Sequence, residues 1–272
     1  MSFIPVRNGK RNSEWTNILE EKLNEFLNNG DWLYDFGKEN LQPKKQDIEA
    51  RYLSQYFFCR LIENIDNRYR AEITDDTYMY LICNEKKTMF HFDIMNNPKE
   101  AHVFGKAIKN ASENEWVTWQ KRYHTIGNFA PVPWPILEYE NKINGSINMQ
   151  DIHKGFDERW DLFLKFCQSE WSNFTDYCVY IDFCSYMKLT CQEIYFTEIY
   201  DSFKNKFNDR RIKEVENEEL LEWYDSVNSI ELENKQIISF GKDLVSDVKK
   251  INQLIAIRGK LMMALALRNR KL

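Results

Sequence analysis

Glycine, proline and histidine are scarce in this chain, with nine, six and four residues among 272. So few glycines and prolines exclude a linker-rich, collagen-like or all-hairpin protein. The common catalytic and nucleotide-binding signatures are missing: there is no GxxxxGK[ST], GxGxxG, GxSxG or HExxH, and no EF-hand loop. That removes the easily read kinds of chemistry without excluding catalysis. No apolar run reaches the roughly 18 residues of a membrane-spanning helix. The nearest, Ile251 to Leu267, is broken by Asn252, Gln253, Arg258 and Lys260. The N-terminus turns polar within a few residues and lacks a signal-peptide core. A soluble protein with no membrane partner is expected.

The six cysteines, Cys59, Cys83, Cys167, Cys178, Cys184 and Cys191, form no CxxC pair and no zinc spacing. Each lies in an apolar or aromatic stretch, where cysteine behaves as a small hydrophobe. Free thiols, and hence a reducing cytoplasmic setting, are expected. No metal site is expected, and nothing names a cofactor. Acids outnumber bases 42 to 37, for a net charge of −5, which argues against a nucleic-acid-binding surface over the whole molecule.

Apolar residues make up 43 % of the chain and aromatics 15 %, enough for a large core. Patterning predicts a helix from about Ser13 to Asn28, with Ser13 as its cap and Ile18, Leu19, Leu23, Phe26 and Leu27 as its apolar stripe. A longer helix is predicted from Pro43 to about Asn67. Residues 76–83 and 88–95 carry strand formers around the turn-like Asn84-Glu85-Lys86-Lys87, with Phe90, Phe92 and Ile94 alternating against His91 and Asp93. That pattern predicts a β-hairpin with one apolar face. One or two short helices are expected within Lys99–Tyr123. An irregular loop holding Pro131, Pro133 and Pro135 is expected over 124–148. Long helices are expected at Phe156–Trp171, Thr175–Asn208, Asp209–Val227 and Ile230–Asn269. The chain therefore reads as one predominantly α-helical α+β domain: N-terminal helices and hairpin over 1–123, the proline loop over 124–148, and a C-terminal helical part over 149–272.

Charge is unevenly spread. Residues 248–272 hold seven bases and no acid, whereas residues 209–234 hold nine acids and three bases. The expectation is an antiparallel helical pair of opposite charge. A second possibility is a basic surface for nucleic acid or an acidic protein formed by Lys249, Lys250, Arg258, Lys260, Arg268 and Arg270.

Four constellations bear on chemistry. His91 and Asp93 lie two apart on a strand, so both project to one face and can serve acid–base or metal chemistry; the plain alternative is the polar side of a half-buried hairpin. His124, Thr125 and Asn128 precede the prolines on a loop stiff enough to present polar groups, or simply one packed by Phe129 and Trp134. Residues 153–161 (HKGFDERWD) start a helix in which Arg159 is a candidate ligand-binding or ion-pairing group. Tyr177, Tyr180, Cys184, Met187, Cys191 and Ile194 form a stripe at helical spacing, which is the signature of a core before that of a cofactor wall.

The stretch Tyr123-His124-Thr125-Ile126-Gly127-Asn128-Phe129 with its prolines, then Gly145-Ser146-Ile147-Asn148, then Glu158-Arg159-Trp160-Asp161-Leu162, resembles a family of bacterial proteins described only as a domain of unknown function. That family shows "TIG", "TIN" and "DRFDL" segments. The resemblance implies a bacterial cytoplasmic or phage-linked setting and no particular reaction, and it adds Asn148 to the candidate ligand-binding residues. A non-catalytic binding or regulatory protein, in stress response or phage defence, is the functional expectation. The alternative is an enzyme on a small or nucleotide-like substrate, using His124, Thr125 and Asn128 with His91 and Asp93.

Overall fold

The computed structural model describes residues 6–7, 10–11, 13–36, 52–73, 79–96, 98, 103–133, 160–174, 181–208, 210–240 and 243–268. It is a predominantly helical α+β fold. A two-residue ladder joins β1 (Val6–Arg7) to β2 (Lys10–Arg11). Helices α1 (Ser13–Asn29) and α2 (Tyr52–Ile65) follow. The main sheet is antiparallel in the order β3-β4-β5-β6, comprising Arg70–Ile73, Met79–Cys83, Lys86–Ile94 and Phe129–Pro133. Helices α3 (Val103–Ala111) and α4 (Glu113–Arg122) lie between its last two strands in sequence. Five further helices complete the described chain: α5 (Trp160–Glu170), α6 (Phe183–Leu189), α7 (Thr197–Phe207), α8 (Asn217–Val227) and α9 (Leu244–Arg268).

The predicted hairpin is present, but its turn is tighter than expected: Asn84 and Glu85 alone connect β4 to β5. Both have positive φ, 49° and 67°, the paired left-handed conformation that matches strand twist. Asn tolerates this geometry more readily than Glu. Glu85→Gly is therefore expected to stabilise the protein by about 1 kcal/mol, measurable as a higher urea midpoint with an unchanged slope.

The proline-rich stretch is not all loop. Residues 129–133 form β6, with Phe92 opposite Pro131 and Phe90 opposite Pro133. Proline is tolerated here because β6 is an edge strand, where a missing N–H costs no ladder bond. The remainder of the expected loop, 134–148, lies outside the described residues.

Of the long helix expected over 175–208, residues 175–180 lie outside the described residues and 181–208 hold two α-helices, α6 and α7. Helix α6 ends at Leu189 with a two-bond cap in which Gln192 N–H donates to Met187 O and Cys191 N–H to Lys188 O. Cys191 takes the left-handed position, φ 52°, that glycine usually fills. Cys184 and Cys191 therefore do not share one continuous helical stripe, and Tyr177 and Tyr180 lie outside the described residues. Residues 230–240, also expected to be helical, are an irregular connection in which Ile237 makes an isolated antiparallel bridge with Phe196.

Helix α9 runs through the centre, buried along most of its length from Val248 to Ala266. Aromatic rings carry the core outward from the β-sheet: Phe58 meets Phe92 at 5.2 Å, Phe26 meets Phe36 at 5.2 Å, and Phe36 meets Phe129 at 5.7 Å, all edge-to-face. The oppositely charged segments do meet, through Arg268 and Asp225, but not as an antiparallel pair. Lys260 reaches the carbonyls of Ile212 and Val215 just before α8, while Arg268 reaches Asp225 near its end. The two helices therefore run in the same sense, which the non-helical 228–240 connection allows.

Candidate functional site: a basic, aromatic-walled cleft

Helix α9 does not present its bases as one outward face. Arg258 is fully buried and Lys260 nearly so; both hold backbone carbonyls. The Arg258 guanidinium donates to Thr190 O from Nε and Nη2 (3.0 and 2.7 Å), and from Nη1 to Gly127 O (2.9 Å) and Phe129 O (2.7 Å). It thereby caps the C-terminal end of α6, where the helix dipole favours a cation. It also ties the 126–129 segment to α9. Of the expected basic face, Lys249 is exposed, Lys250 half-buried and Arg268 paired with Asp225, while Arg270 lies outside the described residues.

The 126–129 segment is held by contacts rather than displayed. Asn128 is fully buried; its Nδ2 donates to Asn96 O (2.9 Å) and Tyr123 O (3.0 Å), and its Oδ1 accepts from Asn96 N–H (3.1 Å). Thr125 is buried, with its hydroxyl donating to Arg122 O. His124 is partly exposed, stacks on Tyr123 at 4.2 Å and lies 3.7 Å from the Asp35 carboxylate. His91 and Asp93 occupy strand β5 opposite Val132 and Ala130; their side chains, like Asn148 and Arg159, lie outside the described residues.

A different set of residues frames a cleft. One wall is α7, whose Tyr200, Phe203, Lys204 and Phe207 recur at i, i+3, i+4 and i+7 and so share a face. A second wall is α9, through Gln253, Ala256 and Ile257, again one helical face. Trp32 and Leu33, from the turn after α1, and Arg122, from the end of α4, close a third side. The fourth is the turn Arg210-Arg211-Ile212-Lys213. The cavity is about 360 Å³, toward the small end of small-molecule sites.

Among the described residues, five bases and no acid line the cleft. Arg210 pairs with Glu219 and Arg211 with Glu214, all four exposed at 42 % or more. Such pairs are worth about 0–1 kcal/mol and are readily exchanged. Lys213 has no ion pair among the described residues, and Lys204 has only the Tyr200 ring, 6.0 Å away. Part of this charge complements the C-terminal end of α7, which stops at Asn208 in a left-handed cap. Burial lowers the pKa of Arg122, whose guanidinium donates to Asn252 O.

The turn is anchored from below. Lys260 Nζ donates to Ile212 O at 2.9 Å and also to Val215 O. The bases are therefore carried on a fixed backbone rather than a free loop. On the opposite wall Gln253 Oε1 accepts from the Tyr200 hydroxyl at 2.5 Å, which leaves the Gln253 Nε2 donors without a protein partner among the described residues.

The sequence marks none of these residues as a site, yet a signal exists. Arg210, Arg211 and Lys213 are the only three bases of the acidic 209–234 segment, and they fall within four residues. Averaging charge over the segment hides them.

One other polar cluster lies away from the cleft. Glu193 is buried, and neither of its oxygens completes a hydrogen bond. Burial pushes its carboxyl up to about 7, against the opposing influences of the facing Tyr224 hydroxyl and of Arg258. The folded state thus holds a proton that the unfolded chain releases near 4.5. Stability is highest below that value and falls as pH rises toward 7, by roughly 3 kcal/mol if the whole shift is realised. Glu193→Gln is expected to flatten this dependence and to be the more stable protein at pH 8. Urea unfolding of both at pH 5 and pH 8 measures it; parallel losses in the two would assign the pH dependence elsewhere.

Among the described residues no three His, Cys, Asp or Glu side chains are placed to hold a metal ion. No helix there is long and apolar enough to cross a membrane. Comparison with known protein families, with curated proteins and with solved structures gives no match to this chain.

Proposed function

We propose that this is a non-catalytic binding or regulatory protein whose ligand is a small anion held in the cleft between α7, α9 and the 210–213 turn. The observation that carries the reading is the lining itself: among the described residues, five bases, no acid, and an aromatic wall in a cavity of about 360 Å³. A fixed concave site with a few convergent charged groups is what small-molecule recognition requires. The Lys260 anchor supports the reading, because a turn already ordered loses little entropy when it binds. The setting we propose is the bacterial cytoplasm, in stress response or phage defence. The five described cysteines, all free thiols, fit a reducing compartment.

Thermal unfolding at low ionic strength with inorganic tripolyphosphate tests the reading. At about 100-fold excess over its Kd, a bound anion should raise Tm by roughly 5 to 10 °C. The double variant Lys204→Gln, Lys213→Gln should lose most of that shift while unfolding at the wild-type temperature without ligand. A shift that the variant retains, or no shift at all, overturns the assignment of the cleft.

A further inference from the structure

We infer that the ligand of this cleft is a single nucleoside 5′-phosphate, an inference that rests on the anion-binding reading above. Three features of the cleft point to it. Arg210, Arg211 and Lys213 come from one anchored turn. Arginine forks match phosphate oxygens two at a time, and the carboxylates now on Arg210 and Arg211 are exposed and exchangeable. Lys213 has no carboxylate to release among the described residues.

The ring of Trp32 rests against α9, its Cε3 3.5 Å from where a Cβ on Gly259 would stand, an ordinary contact distance. Trp32 keeps part of its surface exposed, whereas Tyr200, Phe203 and Phe207 are almost fully buried. A planar base stacks on such a half-exposed ring regardless of its identity. Gln253, held by the Tyr200 hydroxyl through Oε1, turns its amide into a donor for a base carbonyl or a ribose hydroxyl.

Size sets the rest. About 360 Å³ accommodates one nucleotide, whereas proteins that track a single strand engage on the order of 4 nucleotides or more along a groove. The geometry therefore favours a free nucleotide over a nucleic-acid strand.

Calorimetric titration of the full-length protein with adenosine 5′-monophosphate, ribose 5-phosphate and a tetra-adenylate oligonucleotide tests this. The monophosphate should bind at least about tenfold more tightly than ribose 5-phosphate, the factor a stacked base contributes. Trp32→Leu should abolish that difference. Lys213→Glu, an exposed position that cannot disturb the core, should weaken both phosphates and leave their ratio unchanged, so a Trp32 variant that fails to fold does not remove the test. Equal binding of the two phosphates overturns the nucleotide inference and leaves the anion site standing. No binding of either overturns both. A tetranucleotide that binds more tightly than the monophosphate overturns the inference in favour of a strand.

Discussion

Replacing Arg258 by methionine should cost roughly 3 to 5 kcal/mol, a large part of the stability of an ordinary domain. Methionine fills much of the same volume, so the loss is not a cavity effect. The guanidinium is fully buried, and its donors are spread over the carbonyls of Thr190, Gly127 and Phe129, with Ile126 O at 3.4 Å as a weaker fourth. Its removal strands those acceptors away from water, at about 1 to 3 kcal/mol for each that finds no other partner. Arg258→Lys should recover little, because one ammonium cannot reach both the end of α6 and the 127–129 carbonyls. Urea unfolding gives the magnitude. A methionine variant within about 1 kcal/mol of wild type would show that the carbonyls re-pair when the arginine leaves.

Gly127→Ala should be at least as damaging. A Cβ at residue 127 would stand 2.1 Å from Ile255 O, 2.8 Å from Gly259 N and 3.0 Å from Gly259 Cα, all backbone atoms of α9. No side-chain rotation relieves contacts of that kind. The helix or the 126–128 turn must move, and the Arg258 bonds on either side of the contact move with it. A loss of roughly 4 kcal/mol or more is expected. Gly259→Ala is the control: its nearest neighbours lie at 3.4 to 3.5 Å, ordinary contact distances, and alanine is the better helix former by about 1 kcal/mol. That substitution should stay within about 1 kcal/mol of wild type. If the two glycine variants unfold alike, the close approach at 127 is not what demands glycine there.

These two sites show which parts of the fold the sequence discloses. Alternation of Phe90, Phe92 and Ile94 foretells the hairpin, and the stripe of Leu19, Leu23, Phe26 and Leu27 foretells α1, because both are local consequences of periodicity. The edge strand β6 escapes because its prolines read as loop residues and only its place in the sheet makes them harmless. The break after Leu189 contains no glycine or proline. It is secured by a cap on Cys191 and by an arginine 68 positions later, neither of which local pattern can reveal.

The site follows the same rule. Composition reports how many charges a segment has and is silent on which way each one points. Arg258 and Lys260 inflate the apparent basic surface while facing inward. Arg210, Arg211 and Lys213 vanish into an acidic average while sharing one cleft. Asn128 was legible as important, being a polar residue in a glycine-containing turn. Its four contacts with Asn96 and Tyr123 make it a structural tie between β5, α4 and β6.

The bond from Arg258 to Gly127 spans 131 positions of sequence. Until the chain has supplied α9, the Gly127 and Phe129 carbonyls lack their guanidinium donor, although β6 can already pair with β5 and Asn128 O can already accept from Met95 N–H. The N-terminal half therefore forms its sheet without this tie, and the chain must close a very long loop before the tie is made. A slow refolding rate is the kinetic signature, with Arg258 variants mainly slowing folding if that tie belongs to the transition state and mainly hastening unfolding if it forms afterwards.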